Sequence, residues 1–147
     1  MKHIHLIGIG GTGLSAIALL LKQRGYTVSG SDRTLSPLAR QLSAQGVTVY
    51  AGHDAQNVVQ ADLVVRSSAI PDDNPEILAA EAAGIPVLKR AEFLGQLMEG
   101  SRGIAIAGTH GKTTTTAMVA WIFSRLGQEP SYIIGGVAKN LGNNAQA

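Results

Sequence analysis

The chain has 147 residues, of which 45% are hydrophobic, and its formal net charge at pH 7 is only +2. That length suits one ordinary domain, or one small domain and part of another, and the apolar fraction is sufficient for a packed core. A nearly balanced charge argues against a nucleic-acid-binding protein, and the absence of cysteine excludes disulfides and thiolate metal sites.

The first elements lie in a stretch without a charged side chain, residues 4–21. Such a stretch resembles a signal peptide or a membrane span, but four glycines interrupt it. A buried strand "HIHLIGI", a glycine turn and a helix "GLSAIALLLKQRG" explain it better. We therefore expect a soluble protein that does not enter a membrane.

Short strands and helices then alternate as far as residue 98. The predicted strands are "TVSGSD", "VTVY", "ADLVVRSSAI" and "IPVLKR", and the predicted helices are "PLARQLSAQG", "PEILAAEAAG" and "AEFLGQLMEG". Strands that alternate with helices of about ten residues indicate βαβ crossovers. The sequence therefore predicts an α/β fold, with a Rossmann-like parallel sheet and helices on both faces.

A second unit follows the segment "EGSRG". We predict a domain at residues 1–98, a linker at 99–102, and the start of a second α/β domain, of the P-loop type, at 103–147. Its predicted elements are a strand "GIAIAG", a loop "THGK", a helix "TTTTAMVAWIFSRLG", a strand "SYIIGG" and a frayed tail "NLGNNAQA".

The first glycine loop has the pattern G-x-G-x-x-G at Gly8, Gly10 and Gly13, and Asp32 ends the second strand. Between a strand and a helix, such a loop brings unpaired N–H groups to a diphosphate, and the acid accepts hydrogen bonds from ribose hydroxyls. The pattern does not identify the nucleotide, so NAD remains an alternative. A turn that only packs helix against strand is a second alternative.

The second loop, "GTHGKT", ends like a P-loop but has Ile106 where the first glycine normally stands. Gly108 offsets that loss in a tighter loop, where Lys112 would contact phosphates and Thr113 would bind Mg²⁺. The alternative is a solvated turn. His110 is either a polar filler or a contact to phosphate or acceptor, whereas the other histidines lack metal-ligand spacing and are expected to be structural or exposed.

These motifs together resemble the Mur ligases of peptidoglycan synthesis. The resemblance rests on "HIHLIGIGGTGLSAIA", "GSD", "SSAI", "DNPE", "RAEFL" and "GIAIAGTHGKTTTTAM". It implies a three-domain enzyme, in which the first domain holds a UDP-sugar, the second holds ATP and the third holds an amino acid. It favours the branch that joins L-alanine to UDP-N-acetylmuramate. The alternatives are the branch that recycles murein tripeptide, whose first loop usually differs, and a stand-alone nucleotide-sugar or NAD module.

The resemblance also implies a role for individual residues. The diphosphate would lie on Gly8, Gly10, Gly11, Thr12 and Gly13, and the ribose and uracil near Ser31, Asp32, Ser68 and Ala69. ATP would lie on Gly108, Thr109, His110, Gly111, Lys112, Thr113 and Thr114. Lys112, Thr113 and His110 would be catalytic, with Mg²⁺ on Thr113.

The implied reaction activates a carboxylate. The lactyl carboxylate of UDP-N-acetylmuramate takes the γ-phosphoryl group of ATP, and the amine of L-alanine then displaces phosphate to form an amide. The absence of cysteine fits a cytoplasmic protein. Because the chain stops soon after Lys112, we expect an enzyme fragment that lacks the L-alanine site and ligase activity. It should still bind UDP-N-acetylmuramate. Its second unit should expose apolar surface and dock on the first domain, self-associate or fray.

Overall fold

The computed structural model describes residues 2–147. Its main feature is a five-stranded parallel sheet with the strand order β3-β2-β1-β4-β5. The strands are β1 (His3–Ile7), β2 (Thr27–Asp32), β3 (Thr48–Ala51), β4 (Leu63–Arg66) and β5 (Val87–Lys89). The helices are α1 (Thr12–Gln23), α2 (Pro37–Ala44), α3 (Pro75–Ala82), α4 (Arg90–Met98) and α5 (Lys112–Arg125), with a short 3-10 helix at Ala55–Val58.

The sheet is covered on both faces, because alternate residues of β1 enter different cores. Ile4 and Leu6 pack in a buried cluster with Ile17 of α1. Ile7 packs in another cluster with Ile77 of α3. Successive side chains of a strand point to opposite faces, so these clusters lie on the two sides of the sheet. The predicted Rossmann-like α/β fold is confirmed.

The strand order brings the predicted site residues to one edge of the sheet. From β1 the chain crosses to β2 on one side, and later returns to β4 on the other side of β1. Ligands of open α/β sheets bind at such a reversal, outside the carboxyl ends of the strands. The glycine loop follows β1 there, Asp32 ends β2, and residues 67–70 follow β4.

Two expectations for the second unit are wrong. The segment "GIAIAG" forms no strand, and Ile104 is 61% exposed. A strand needs a neighbour to pair with, and no part of the described chain pairs with this one. The tail is not frayed either. It contains β7 (Ala145–Gln146), which pairs antiparallel with β6 (Tyr132–Ile133).

The β6–β7 hairpin docks on the first unit. Ala145 is completely buried in a cluster with Ala16 and Leu20 of α1, and Ile133 packs against the same cluster. The backbone N–H of Ala147 donates to Oε1 of Gln23 at 2.7 Å. Docking on the first domain, one of the outcomes expected for the second unit, is therefore observed for this hairpin.

Helix α5 leaves most of its apolar surface exposed, as expected. Ala120 is its buried residue and lies against Tyr132 and Ile134. Met118 is 59% exposed and Ile122 52%. The helix has 14 residues, and no helix within residues 2–147 has both the length and the hydrophobicity that crossing a bilayer requires.

Candidate functional site

The glycine loop between β1 and α1 is held to the end of β2. The backbone N–H groups of Gly8 and Ile9 donate to the carbonyl oxygen of Ser31 at 2.8 and 3.0 Å. Gly8 has a φ of +89°, which disfavours any residue with a side chain. At the other end of the loop, Gly11 precedes α1 without a side-chain cap. The first N–H groups of α1 are therefore available to an anion.

Asp32 fixes the middle of this loop. Its Oδ2 accepts the N–H of Gly10 at 2.9 Å, and the hydroxyl of Ser36 donates to the Gly10 carbonyl at 3.0 Å. A Cβ at Gly10 would lie 2.8 Å from both of these side-chain oxygens, so the position has no room for a side chain. Asp32 is half-buried, and its Oδ1 takes no hydrogen bond from residues 2–147.

Arg90 lies over the end of the loop and was not among the residues singled out from the sequence. It is the first residue of α4, directly after β5. A Cβ at Gly13 would lie 2.5 Å from Nη1 of Arg90, so this glycine makes room for the guanidinium. Arg90 is exposed and makes no salt bridge within residues 2–147. The signal for it was the "RAEFL" motif, because β5 ends at the same edge of the sheet as β1.

The predicted ribose and uracil residues divide into buried and exposed ones. Ser31 is completely buried, and its hydroxyl donates to Glu76 at 2.5 Å. Its side chain is therefore already occupied inside the protein. Ser68 and Ala69 are exposed in the turn after β4, beside the glycine loop, where Cβ of Ser67 would lie 3.2 Å from a Cβ at Gly8.

A buried polar cluster lies beneath this edge of the sheet. Glu76 is completely buried and interacts with Ser31, His53, Asn57 and His5. His5 and His53 were expected to be structural or exposed. They are structural, since both contact this carboxylate. Each histidine looked isolated in the sequence because their shared partner lies far along the chain.

The second loop, residues 108–111, precedes α5, and all residues from 108 to 114 are exposed. Gly111 is the N-cap of α5 with a φ of +80°, and no side chain caps the helix. Gly108 has a φ of +148°. Both glycines therefore adopt conformations that other residues avoid, and the first N–H groups of a 14-residue helix are left for an anion. This geometry fits the phosphates of ATP.

Lys112 folds back on its own loop. Its Nζ donates to the carbonyl oxygens of Gly108 and Thr109. The ammonium thus lies beside the backbone that would surround phosphate oxygens. His110 and Thr114 are exposed and make no side-chain hydrogen bond within residues 2–147.

Thr113 faces the turn that follows β6. Its Oγ1 would lie 3.3 Å from a Cβ at Gly135, and its Cγ2 3.6 Å from one at Gly136. Its hydroxyl is suited to be one ligand of Mg²⁺. Within residues 2–147 there is no cluster of three or more His, Cys, Asp or Glu that could hold a metal. Thr113 is therefore a candidate for a single Mg²⁺ ligand.

Comparisons with known proteins identify the family of the chain. Residues 3–102 match the family model described as "Mur ligase family, catalytic domain". Among solved structures, the chain is similar to UDP-N-acetylmuramate-alanine ligase from Thermotoga maritima, with 35% identity and a TM-score of 0.91. That match covers 99% of this chain and 35% of the other.

Two peptide ligases are similar to the same degree. One is UDP-N-acetylmuramate:L-alanyl-gamma-D-glutamyl-meso-diaminopimelate ligase from Neisseria meningitides, with 37% identity, a TM-score of 0.91, and coverage of 99% and 46%. The other is a murein peptide ligase from Psychrobacter arcticus, with 36% identity, a TM-score of 0.86, and coverage of 99% and 33%. The chain thus spans less than half the length of each of these three proteins. Since the family model covers residues 3–102 and these matches cover almost the whole chain, the chain belongs to the Mur ligase family.

Proposed function

We propose that this chain carries the nucleotide-sugar site and the ATP loop of a ligase of peptidoglycan precursor synthesis, which joins L-alanine to UDP-N-acetylmuramate. Members of the Mur ligase family are ATP-dependent amide ligases. In this proposal residues 1–98 form the domain that binds the UDP-sugar, and residues 103–147 form the start of the ATP-binding domain. Residues 99–102 are the linker between them. We also propose a cytoplasmic location, because the Mur ligases are cytoplasmic enzymes.

The observation that carries the proposal is the arrangement around the first loop. The uncapped first turn of α1 contains Gly13, and the guanidinium of Arg90, which makes no salt bridge within residues 2–147, packs against this glycine. A helix N-terminus and a nearby arginine together suit the two negative charges of a diphosphate. In this proposal Oδ1 of Asp32 accepts a hydrogen bond from the ribose, and the exposed residues Ser68 and Ala69 contact the uracil.

The second loop would hold the triphosphate. ATP supplies the phosphoryl group that activates the lactyl carboxylate of the sugar. When ATP binds, the ammonium of Lys112 would leave the carbonyl oxygens of Gly108 and Thr109 and contact phosphate oxygens instead. It would thereby neutralise negative charge as the lactyl carboxylate approaches the triphosphate. The hydroxyl of Thr113 would bind Mg²⁺, and His110, exposed in the loop, would contact phosphate or the acceptor.

The preference for L-alanine over a peptide as acceptor comes from the sequence resemblance, in which the first loop of the peptide-recycling branch usually differs from the glycine loop of this chain. The three solved relatives have similar identities to this chain, from 35% to 37%, so overall similarity does not separate the two acceptors. The acceptor is tested by offering L-alanine and the tripeptide, with ATP and UDP-N-acetylmuramate, to the enzyme that carries this sequence.

The nucleotide site is tested by calorimetric titration of the chain with UDP-N-acetylmuramate and with NAD. We expect binding of the UDP-sugar and none of NAD. Asp32→Asn should weaken UDP-sugar binding by about tenfold, because a charged acceptor is lost from the ribose and from Gly10. Asp73→Asn makes the same change at an exposed aspartate and should have no effect. Preference for NAD, or equal effects of the two variants, would contradict the proposal.

A further inference from the structure

Glu76 is a charged side chain that the proposed chemistry does not use. It lies in the first turn of α3, and its backbone N–H donates to Oδ1 of Asn74, the N-cap, at 2.9 Å. The side chain is 0% exposed. Carboxylates near a helix N-terminus are favoured by the helix dipole, but this one turns inward to the edge of the sheet instead of toward solvent.

Its two oxygens join four separate segments of the chain. Oε2 accepts from Oγ of Ser31 at 2.5 Å and from Nδ1 of His53 at 2.9 Å. Oε1 accepts from Nδ2 of Asn57 at 2.6 Å, and Nε2 of His5 lies 3.5 Å from it. Burial raises the pKa of Glu76, but the interactions with His5, Ser31 and Asn57 outweigh that effect and lower the pKa to about 2. The carboxylate is therefore ionised at neutral pH.

Stability alone is a poor reason for such a group. Taking a carboxylate out of water costs several kcal/mol, and apolar replacements of buried ion pairs are often no less stable. A buried charge with complete hydrogen bonding does, however, fix the geometry of its partners. The question is therefore which geometry the carboxylate of Glu76 fixes.

The geometry that it fixes belongs to the nucleotide loop. The hydroxyl of Ser31 donates to Glu76, and the carbonyl of the same residue accepts the N–H groups of Gly8 and Ile9. The carboxylate of the next residue, Asp32, accepts the N–H of Gly10. The backbone carbonyl of Asp32 accepts the N–H of Gly52 at 2.7 Å. A displacement of Ser31 would thus move the start of the loop and the ribose-binding carboxylate together.

We propose that Glu76 is a positioning residue for the UDP-sugar site, which acts through Ser31 to hold the glycine loop and Asp32 in the binding geometry. The inference rests on the proposed function, but its effect on the loop can be observed without ligand. Three variants test it. Glu76→Ala removes both acceptor oxygens, Glu76→Gln keeps the shape but not the charge, and Glu81→Gln removes a charge from the exposed side of the same helix.

The affinities for UDP-N-acetylmuramate and for ATP are measured by calorimetry. Glu76→Ala should weaken UDP-sugar binding by about tenfold, and Glu76→Gln by about threefold, because a neutral acceptor makes weaker hydrogen bonds than a carboxylate. ATP binding should not change in either, because the second loop has no contact with Glu76. Glu81→Gln should match the wild type for both ligands.

Amide hydrogen exchange, measured by NMR on the ligand-free chain, distinguishes positioning from general stability. In the Glu76 variants we expect faster exchange at Gly8, Ile9 and Gly10 and unchanged exchange at Val65 in β4. If Glu76→Gln binds the UDP-sugar with wild-type affinity, the proposal is overturned. This test does not depend on whether Glu76→Ala folds. Parallel losses of UDP-sugar and ATP binding, with faster exchange at Val65 as well, would also overturn it.

The same measurements separate this inference from the proposed function. A wild-type chain that does not bind UDP-N-acetylmuramate would contradict the proposed function. In that case the exchange rates of Gly8, Ile9 and Gly10 still decide whether Glu76 holds the loop. Unchanged rates at these amides in Glu76→Ala would overturn the inference whatever ligand the loop binds.

Discussion

Acidification should destabilise the chain through Glu76, and the structure gives both the sign and the size of the effect. The pKa of Glu76 is lowered from 4.5 to about 2 in the folded state, although burial alone would raise it. In the unfolded chain the carboxylate regains an ordinary pKa. Between these two values the unfolded state binds more protons than the folded state. Stability therefore falls as the pH falls through this range.

The magnitude follows from the shift. Each pKa unit corresponds to 1.36 kcal/mol, so above pH 5 the fold with Glu76 ionised is about 3 kcal/mol more stable than the fold with Glu76 protonated. About 2 kcal/mol of that contribution is lost by pH 3, and the rest as the pH falls through 2. Glu76→Gln cannot take up the proton, so this component of the pH dependence should be missing from it.

The assay is urea unfolding followed by circular dichroism, at pH 5 and pH 3, for the wild type, Glu76→Gln and Glu81→Gln. Between these pH values the wild type and Glu81→Gln should lose about 2 kcal/mol more of unfolding free energy than Glu76→Gln. The comparison cancels the titration of the other carboxylates, which all three proteins share. An equal loss in all three would refute the account of Glu76 as a buried, ionised carboxylate.

Three further outcomes are expected. Gly30→Ala should lower the free energy of unfolding by about 2 kcal/mol or more in urea titrations, because its Cβ would lie 2.6 Å from the carbonyl oxygen of Leu6. Arg90→Ala should weaken UDP-N-acetylmuramate binding by about tenfold but leave uridine binding unchanged, since uridine lacks the diphosphate. In light scattering, Ile122→Asp should reduce self-association of the chain, because Ile122 is 52% exposed on α5; a monomeric wild type would contradict this reasoning.

The parallel sheet was predictable because its signals are local. Each strand of the first 98 residues is a short apolar run between turn residues, and each helix has its own start and stop. Ser36 and Pro37, for example, begin α2 as a capping pair. The glycine loop was predictable for the same reason, since its three glycines and the flanking elements are contiguous in the chain.

The buried cluster was not predictable from local patterns. Its members come from β1, the end of β2, the loop after β3, the 3-10 helix and α3. Only the strand order brings them together, and a glutamate in "NPEIL" looks like an ordinary residue of a helix first turn. His5 alternates with Ile4 and Leu6 in β1, which places it on the face of α3 and not on that of α1.

The predicted strand at 103–108 failed for the converse reason. The run "GIAIAG" has the composition of a buried strand, but a strand forms only where another strand supplies hydrogen bonds. The tail behaved in the opposite way. Its polar composition suggested fraying, yet Ala145 finds an apolar surface on α1 and a partner in β6. In both segments tertiary contacts decide the outcome.

The two glycine loops differ in how far each is prepared for the ligand that we propose for it. In the first, the protein itself holds three N–H groups, those of Gly8, Ile9 and Gly10, through the Ser31 carbonyl and Asp32. The backbone is thereby fixed before a ligand arrives, and little ordering remains for binding to supply. In the second loop the cation of Lys112 satisfies carbonyl oxygens of the loop, and no side chain caps α5. Under the proposed function, a triphosphate would have to draw Lys112 away from these carbonyl oxygens as it binds, so the first loop would be the preformed site and the second the adaptable one.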